Sequence, residues 1–430
     1  MRGLSLPGLN GQSTRLLLFN ALFSIALFGI VDVLLNFYFV SLGYSRESIG
    51  VLQSLPRVGG LIAAALVVPL TARWSARGVL IWTTIGMAVA QGAIVLFPTP
   101  FAIGLSRAIL GLFFGIQQIA INPVAVALTK PDHQTRIFAY ISMSSNIAGS
   151  FGGFIGGFMP AWIAFALPSF TVYNDLPAAQ TPFAYGLAII VASVVTALAV
   201  VPIWRLAIPA VLVSVDEQSR PVKVPWRRLL PRGIPMLFFG MTGGLTFPFY
   251  NLFFRGVYDA PDATVGTVLS LGFFAMGFPV MFAPQLERRY GRGGALMLST
   301  GAAGLCFVGL SLSTTLAVAV PFFVAAIALR NIINGIYPPM LMDGLPPQVH
   351  NAASGLGYLA WNIGWLISTS VGGFLIERVG YSLILQVVGV GVFTIGFSAW
   401  WIFRRADQSV RAVMPVIEAG APVPITPAEP

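Results

Sequence analysis

Four ionisable side chains stand inside long apolar stretches of this sequence: Asp32, Arg57, Arg107 and Arg330. A charge near the centre of a lipid bilayer costs about 2.5–3.5 kcal/mol even on the most lenient insertion scale, so each demands a partner, a water-filled cavity or a function. One carboxylate near two arginines suits reversible proton binding, because a proton and a guanidinium compete for the same oxygens. Asp32 and Arg107 are therefore the expected proton-coupling pair, with Asp32 ion-paired to Arg107, Arg57 or both; a permanent pair that only locks helices together is the alternative. Arg330 has no acidic partner in its part of the chain and is expected either to meet a substrate or to bond backbone carbonyls near Pro338 and Pro339. The polar side chains Asn36, Gln117, Asn122, Asn146, Asn251, Asn334, Tyr337 and Asn362 fall at mid-stretch and are expected, with Arg57 and Arg330, to line a substrate cavity; Gln53, Gln118, Tyr250, Trp361 and Trp365 fall there too.

Other chemistries are poorly provided for. The single cysteine, Cys306, lies in an apolar stretch, and His133 and His350 sit in expected loops without a second ligand set, so no metal site is expected. No His, Cys or paired-carboxylate constellation suggests an enzyme. No Gly-x-x-x-x-Gly-Lys-Ser/Thr loop is present to cradle ATP phosphates, and no cofactor is implied.

The elements that position these residues follow from composition. Of 430 residues 57% are hydrophobic and only 9% charged, with a mean hydropathy of +0.84. A soluble domain carries about a quarter charged residues. Apolar runs near the roughly 20 residues that a bilayer-spanning helix needs recur along the chain. Twelve are read, at 16–40, 48–71, 78–97, 101–128, 137–163, 184–205, 233–255, 263–284, 294–312, 315–341, 352–376 and 381–403. They are too long and too uniformly apolar for the alternating strands of a membrane barrel. The first is too long for a signal-peptide core and is read as retained.

The formal charge of +10 is explained by where the charges sit. With the N-terminus inside, the inner segments hold most of the arginines and lysines, and the outer loops only Arg46, Arg255 and Arg378. This positive-inside asymmetry predicts a multi-pass protein of the cytoplasmic membrane with both termini cytoplasmic, and no nucleic-acid partner is needed. Along ~1.5 Å of rise per residue, Asp32 lies about 12 Å below the outer end of its span, and Arg57 and Arg107 about 14 and 9 Å into theirs, so all three share the outer half.

The chain also repeats itself. Gly50 and Gly266, Ser54 and Ser270, Arg73 and Arg289, Pro123 and Pro339, Asn146-Ile147 and Asn362-Ile363, and Gly156-Gly157-Phe158 and Gly372-Gly373-Phe374 all share an offset of 216. A register held from the second span to the fifth indicates duplication, and parallel repeats put a substrate site between the bundles near the midplane. The expected organisation is a cytoplasmic segment (1–15), a six-helix bundle (16–205), a polar linker (206–232), a second six-helix bundle (233–403) and a disordered tail (404–430).

In helix count, duplication and central linker the chain resembles the major facilitator superfamily over nearly its full length. The family's loop motif Gly-x-x-x-Asp-Arg-x-Gly-Arg-Arg is matched at Arg73 and Arg77, with Ala72 at the acidic position, and again at Arg289, Gly291 and Arg292, with Arg288 at that position and Glu287 beside it. These arginines are the expected conformational loop. Arg107, Gly111 and Gly115 resemble the Arg-x-x-x-Gly motif of the drug/proton antiporter branch. Gly152-Gly153-Phe154-Ile155-Gly156-Gly157 is similar to the antiporter motif Gly-Pro-x-x-Gly-Gly, with Gly153 replacing the proline; a helix face for close packing explains Gly149, Gly153 and Gly157 equally well.

The resemblance implies an all-α membrane protein of twelve transmembrane helices in two pseudo-symmetric six-helix bundles. The expected function is secondary active transport of a small organic molecule by alternating access, as proton-coupled export. Uptake or exchange of an organic anion is the alternative within transport, and a non-transporting sensor the alternative outside it. Expected partners are the substrate, protons and membrane lipid, with the protein a monomer.

Overall fold

The computed structural model describes residues 10–129, 134–171, 176–207, 225–277, 279–343, 345 and 349–418. The N-terminal nine residues, His133, most of the expected linker and the end of the tail lie outside the described residues. Apart from short turns and connections, the rest is helical: α1 (Gly11–Ser41), α2 (Arg46–Arg73), α3 (Ala76–Leu96), α4 (Pro100–Ala127), α5 (Gln134–Ala166), α6 (Pro182–Ile203), α7 (Ile234–Thr246 and Tyr250–Tyr258), α8 (Asp262–Gly277), α9 (Ala283–Leu312) and α10 (Leu316–Met342). The last helical run, His350–Glu418, turns at Gly380, where φ is +77°, into α11 (350–379) and α12 (381–418). His350 thus opens a helix rather than sitting in a loop.

Local chemistry sets several starts. Asn10 accepts the Ser13 N–H at 2.7 Å, Ser75 that of Gly78, Thr99 that of Ala102 and Thr181 that of Ala184, each supplying a free N–H of a first turn with an acceptor. Pro100 and Pro182 follow two of these caps, where the missing N–H costs nothing. The helical run continues past residue 404 to Glu418, and residues 419–430 of the expected tail lie outside the described residues.

Two helices are interrupted, one of them at a proline. Pro248 lies in a 3₁₀ turn, Phe247–Phe249, between the two parts of α7. It has no N–H for the Gly244 carbonyl, which accepts from the Thr369 hydroxyl at 3.0 Å instead. In α10 the irregular turn falls at Asn331 and Ile332, about two turns before Pro338 and Pro339, which lie inside the second part of the helix, Ile333–Met342.

By length and composition, eight of the helices among the described residues are long and apolar enough to cross a membrane. The number differs from twelve for physical reasons. One of the eight is the 52-residue stretch Ala352–Phe403 that turns at Gly380 and holds two spans, α7 is interrupted at Pro248, α8 has only 16 residues, and α2, some of whose side chains lie outside the description, is not among the eight.

Glycines let the backbones meet. Gly59 of α2 packs on Ala108 and Leu112, and Gly111 of α4 on Pro56; Gly152 and Gly156 of α5 pack on Ile25 and Ile30 of α1. The other face of α5 presents Gly153 and Gly157 to α8, where a methyl at 157 would lie 3.0 Å from the Gly266 Cα. At the equivalent place in the repeat, a methyl on Gly50 of α2 would lie 3.1 Å from the Gly373 Cα of α11. The same glycine pair therefore joins the two halves of the chain twice, α2 to α11 and α5 to α8.

Replacing Gly59 by Val drives a side chain into the Ala108 carbonyl and is expected to cost about 1–3 kcal/mol. Gly355→Val, where nothing lies within 4 Å, avoids that clash. Chemical unfolding in detergent distinguishes the two, and equal loss at both sites would contradict this packing.

Candidate functional site

The contacts joining the two halves concentrate toward the end of the molecule away from the described chain ends. Asn36 of α1 and Asn251 of α7 clasp each other: Asn36 Nδ2 donates to Asn251 Oδ1 at 2.9 Å and to the Pro248 carbonyl, and Asn251 Nδ2 donates to the Val33 carbonyl at 2.9 Å. Each amide thus reaches the carbonyl three residues before its partner. Nearby, Arg255 of α7 pairs with Asp262 of α8, both bond the Tyr185 hydroxyl of α6, and the guanidinium lies 4.0 Å from the centre of the Phe37 ring. Glu377 of α11 accepts the Glu47 N–H of α2 at 3.2 Å.

Asp32 is exposed although Val31 and Val33 on either side are 1% and 0% exposed. Gln118 and Asn122 on α4 and Asn334 on α10 are also exposed. They stand nearer the end where α4 and α10 finish.

The expected ion pair of Asp32 with an arginine is corrected: among the described residues, the ion pairs within 4 Å are Arg255–Asp262, Arg292–Glu287 and Arg292–Asp343. Arg107 and Arg57 act on the carboxylate electrostatically without touching it. Their guanidiniums have other partners. Arg107, 7% exposed, donates to Gln53 Oε1 and, at 3.4 Å, to the Leu52 carbonyl. Arg57 lies 4.6 Å from the ring centre of Trp361 and 4.4 Å from that of Trp365, so α2 and α11 share a cation–π contact across the halves.

Arg330 donates to the Phe239 carbonyl and to Thr242 Oγ1 at 3.3 Å and stacks on the Phe239 ring. It does bond a backbone carbonyl, but one on α7 rather than near Pro338 and Pro339. Several expected cavity residues are buried in helix packing. Gln117 donates to Thr84 at 3.4 Å, Asn362 to the Tyr358 carbonyl of its own helix at 2.9 Å, and Tyr337 to the Arg232 carbonyl. Asn146 is half-buried beside Gly277, at the α5–α8 contact, and Asn334 donates to Asn331 at 2.6 Å.

In the conformational loops, Arg292 bridges Glu287 and Asp343, so the second copy holds a charge relay to the end of α10 although Arg288 occupies its acidic position. Arg289 lies 5.4 Å from the Tyr290 ring and Arg77 is exposed. The Arg73 side chain lies outside the description. Sequence reasoning gave Gln53 and the pair Arg255–Asp262 no role. Their spacing offered a signal only for the pair, seven residues apart across the α7–α8 turn.

Helices long and apolar enough to cross a membrane, packed as two halves that meet through close glycine contacts, define a polytopic membrane protein. The sequence matches the Major Facilitator Superfamily over residues 17–369, and the chain belongs to that family. No curated protein matches it. Solved structures share the fold. The nucleoside transporter NupG superposes with a TM-score of 0.71 at 15% identity, covering 91% of this chain and 99% of that one. A bacterial homolog of the human lysosomal transporter Spinster, inward-facing and occupied, gives 0.69 at 12%, covering 91% and 96%. A D-xylose–proton symporter gives 0.68 at 12%, covering 91% and 95%.

The arginine sandwich generates a test. In a double-mutant cycle of Arg57→Met and Trp365→Leu, unfolding in detergent is expected to show a coupling of about 0.5–2 kcal/mol. Coupling near zero would mean the contact contributes nothing.

Proposed function

We propose that the chain is a twelve-span secondary active transporter, two six-helix bundles that alternately expose a central site, and that it exports a small organic molecule in exchange for protons. The observation that carries this reading is Asp32: an exposed carboxylate, unpaired within ion-pair distance, on a helix otherwise buried around it. A carboxylate that two arginines influence without touching can take up and release a proton as their distance changes. The arrangement corresponds to a state open toward the chain termini, with Arg107 held by Gln53. Loss of the proton then draws Arg107 to Asp32, and proton and substrate use the site in turn.

Arg107 with Gly111 and Gly115 supports exchange over co-transport by its resemblance to the antiporter motif. The glycine motif of α5 is less discriminating, since all four of its Gly152, Gly153, Gly156 and Gly157 backbones are used in packing against α1 or α8. Arg57 and Arg330, the cations an anion carrier would use, already have aromatic and carbonyl partners.

The test is internal pH in proteoliposomes of the purified protein under gradients of a chemically diverse panel of compounds. Substrate-dependent proton movement is expected in the wild type and should be lost in Asp32→Asn, which keeps measurable substrate binding. Coupled transport surviving in Asp32→Asn would remove Asp32 from the mechanism, and substrate flux without proton movement in the wild type would point to organic-anion exchange or facilitated diffusion.

A further inference from the structure

Gln53 of α2 stands between the buried arginine and the clasp that closes the molecule. Its Oε1 accepts from Arg107, and its Nε2 donates to Asn36 Oδ1 at 2.6 Å. Asn36 in turn donates to Asn251 Oδ1 and the Pro248 carbonyl, and Asn251 donates to the Val33 carbonyl at 2.9 Å and to that of Asp32 at 3.4 Å. A guanidinium can only donate. Gln53 must therefore turn its oxygen to Arg107 and its NH₂ to Asn36, and this fixes the Asn36 amide with its NH₂ toward α7. The cation at the head of the chain and the Pro248 and Val33 carbonyls at its far end demand the same amide orientations, and hydrogen bonds in such a chain polarise one another.

Asn36 is fully buried and Asn251 is 2% exposed, so a flipped or released amide in this clasp would leave polar groups without partners. Pro248 completes the arrangement: the helix break exposes its carbonyl to Asn36, while the Leu252 N–H donates to Asn251 Oδ1 at 2.9 Å.

We propose that Gln53 is a positioning residue that couples Arg107 to the closed end of the molecule. While Arg107 is bonded to Gln53, the Asn36 amide is held in the orientation that clasps α7. When Arg107 leaves Gln53, Asn36 loses its anchor and the clasp loosens. The inference rests on the alternating-access reading above and adds to it a route: proton loss from Asp32, by withdrawing Arg107, releases the opposite face of the protein. Gln53 touches neither the proton nor the substrate in this scheme.

The experiment measures the closed end directly and needs no transported compound. Spin labels are placed in the Cys306→Ala protein at Ser45→Cys, before α2, and at Val257→Cys, near the end of α7; both positions are exposed. Distances are recorded by double electron–electron resonance in lipid nanodiscs. Gln53→Met, which keeps the shape and removes both bonds, is expected to raise the ratio of long to short distance about tenfold, the effect of losing one such buried bond. Gln53→Glu retains the acceptor for Arg107 but, as a carboxylate, gives Asn36 no donor, and should raise the ratio similarly. Arg107→Met should act alike in the wild type and add nothing in Gln53→Met.

Unchanged distances in both Gln53 variants, with folding confirmed by monodisperse elution, would overturn the proposal. So would an Arg107→Met effect that adds in full to Gln53→Met, the result of two independent structural roles. These outcomes leave the proton-coupling reading untouched, since it is decided by internal pH in proteoliposomes.

Discussion

Everything in this molecule depends on how closely helix backbones can approach where the two halves meet. In lipid no hydrophobic force brings apolar helices together, and packing and polar contacts must do it. Gly50 against Gly373 and Gly157 against Gly266 bring α2 to α11 and α5 to α8 so closely that a single methyl group would meet backbone at about 3 Å. Those four residues are two pairs from one duplicated register. A contact made of small residues commits little side-chain volume to either half, which suits surfaces that must part and rejoin without repacking a core.

Around that contact the polar groups are arranged by cost. Each of the three arginines within the spans has found electron density from a neutral source: a glutamine oxygen for Arg107, two indole rings for Arg57, a carbonyl and a hydroxyl for Arg330. Neutral partners satisfy a cation without neutralising it, so the positive charge still acts on Asp32. The one ion pair that joins the halves' closed end, Arg255–Asp262, is tied to Tyr185 and stacked on Phe37, both from the first half. Asp32, exposed within a buried helix segment, has no cation within ion-pair distance among the described residues.

Much of this was legible in the sequence, and the reasons differ by residue. Helix positions followed from apolar length, because that is a local property. The duplication was legible because six matches share one offset. Partner choice was not: Asp32, Arg57 and Arg107 were placed at a common depth, yet depth does not reveal that Gln53 and two tryptophans stand nearer to the arginines than the carboxylate does. Tyr337 and Asn362 looked like cavity residues for the same reason, since a polar residue at mid-helix reads identically whether it faces a cavity or donates to a carbonyl. The Asn36–Asn251 clasp joins residues 215 apart, one off the repeat register, so the repeat itself did not reveal it.

The central claim is that Asp32 lies in a water-filled space open only toward the end that carries the chain termini. Asp32→Cys in the Cys306→Ala protein, reconstituted in vesicles of known orientation, reports this through its rate of alkylation by a membrane-impermeant maleimide added to one side at a time. The account predicts rapid labelling from the terminus-bearing side and little from the other. Labelling that is as fast from the opposite side, or absent from both, would contradict it.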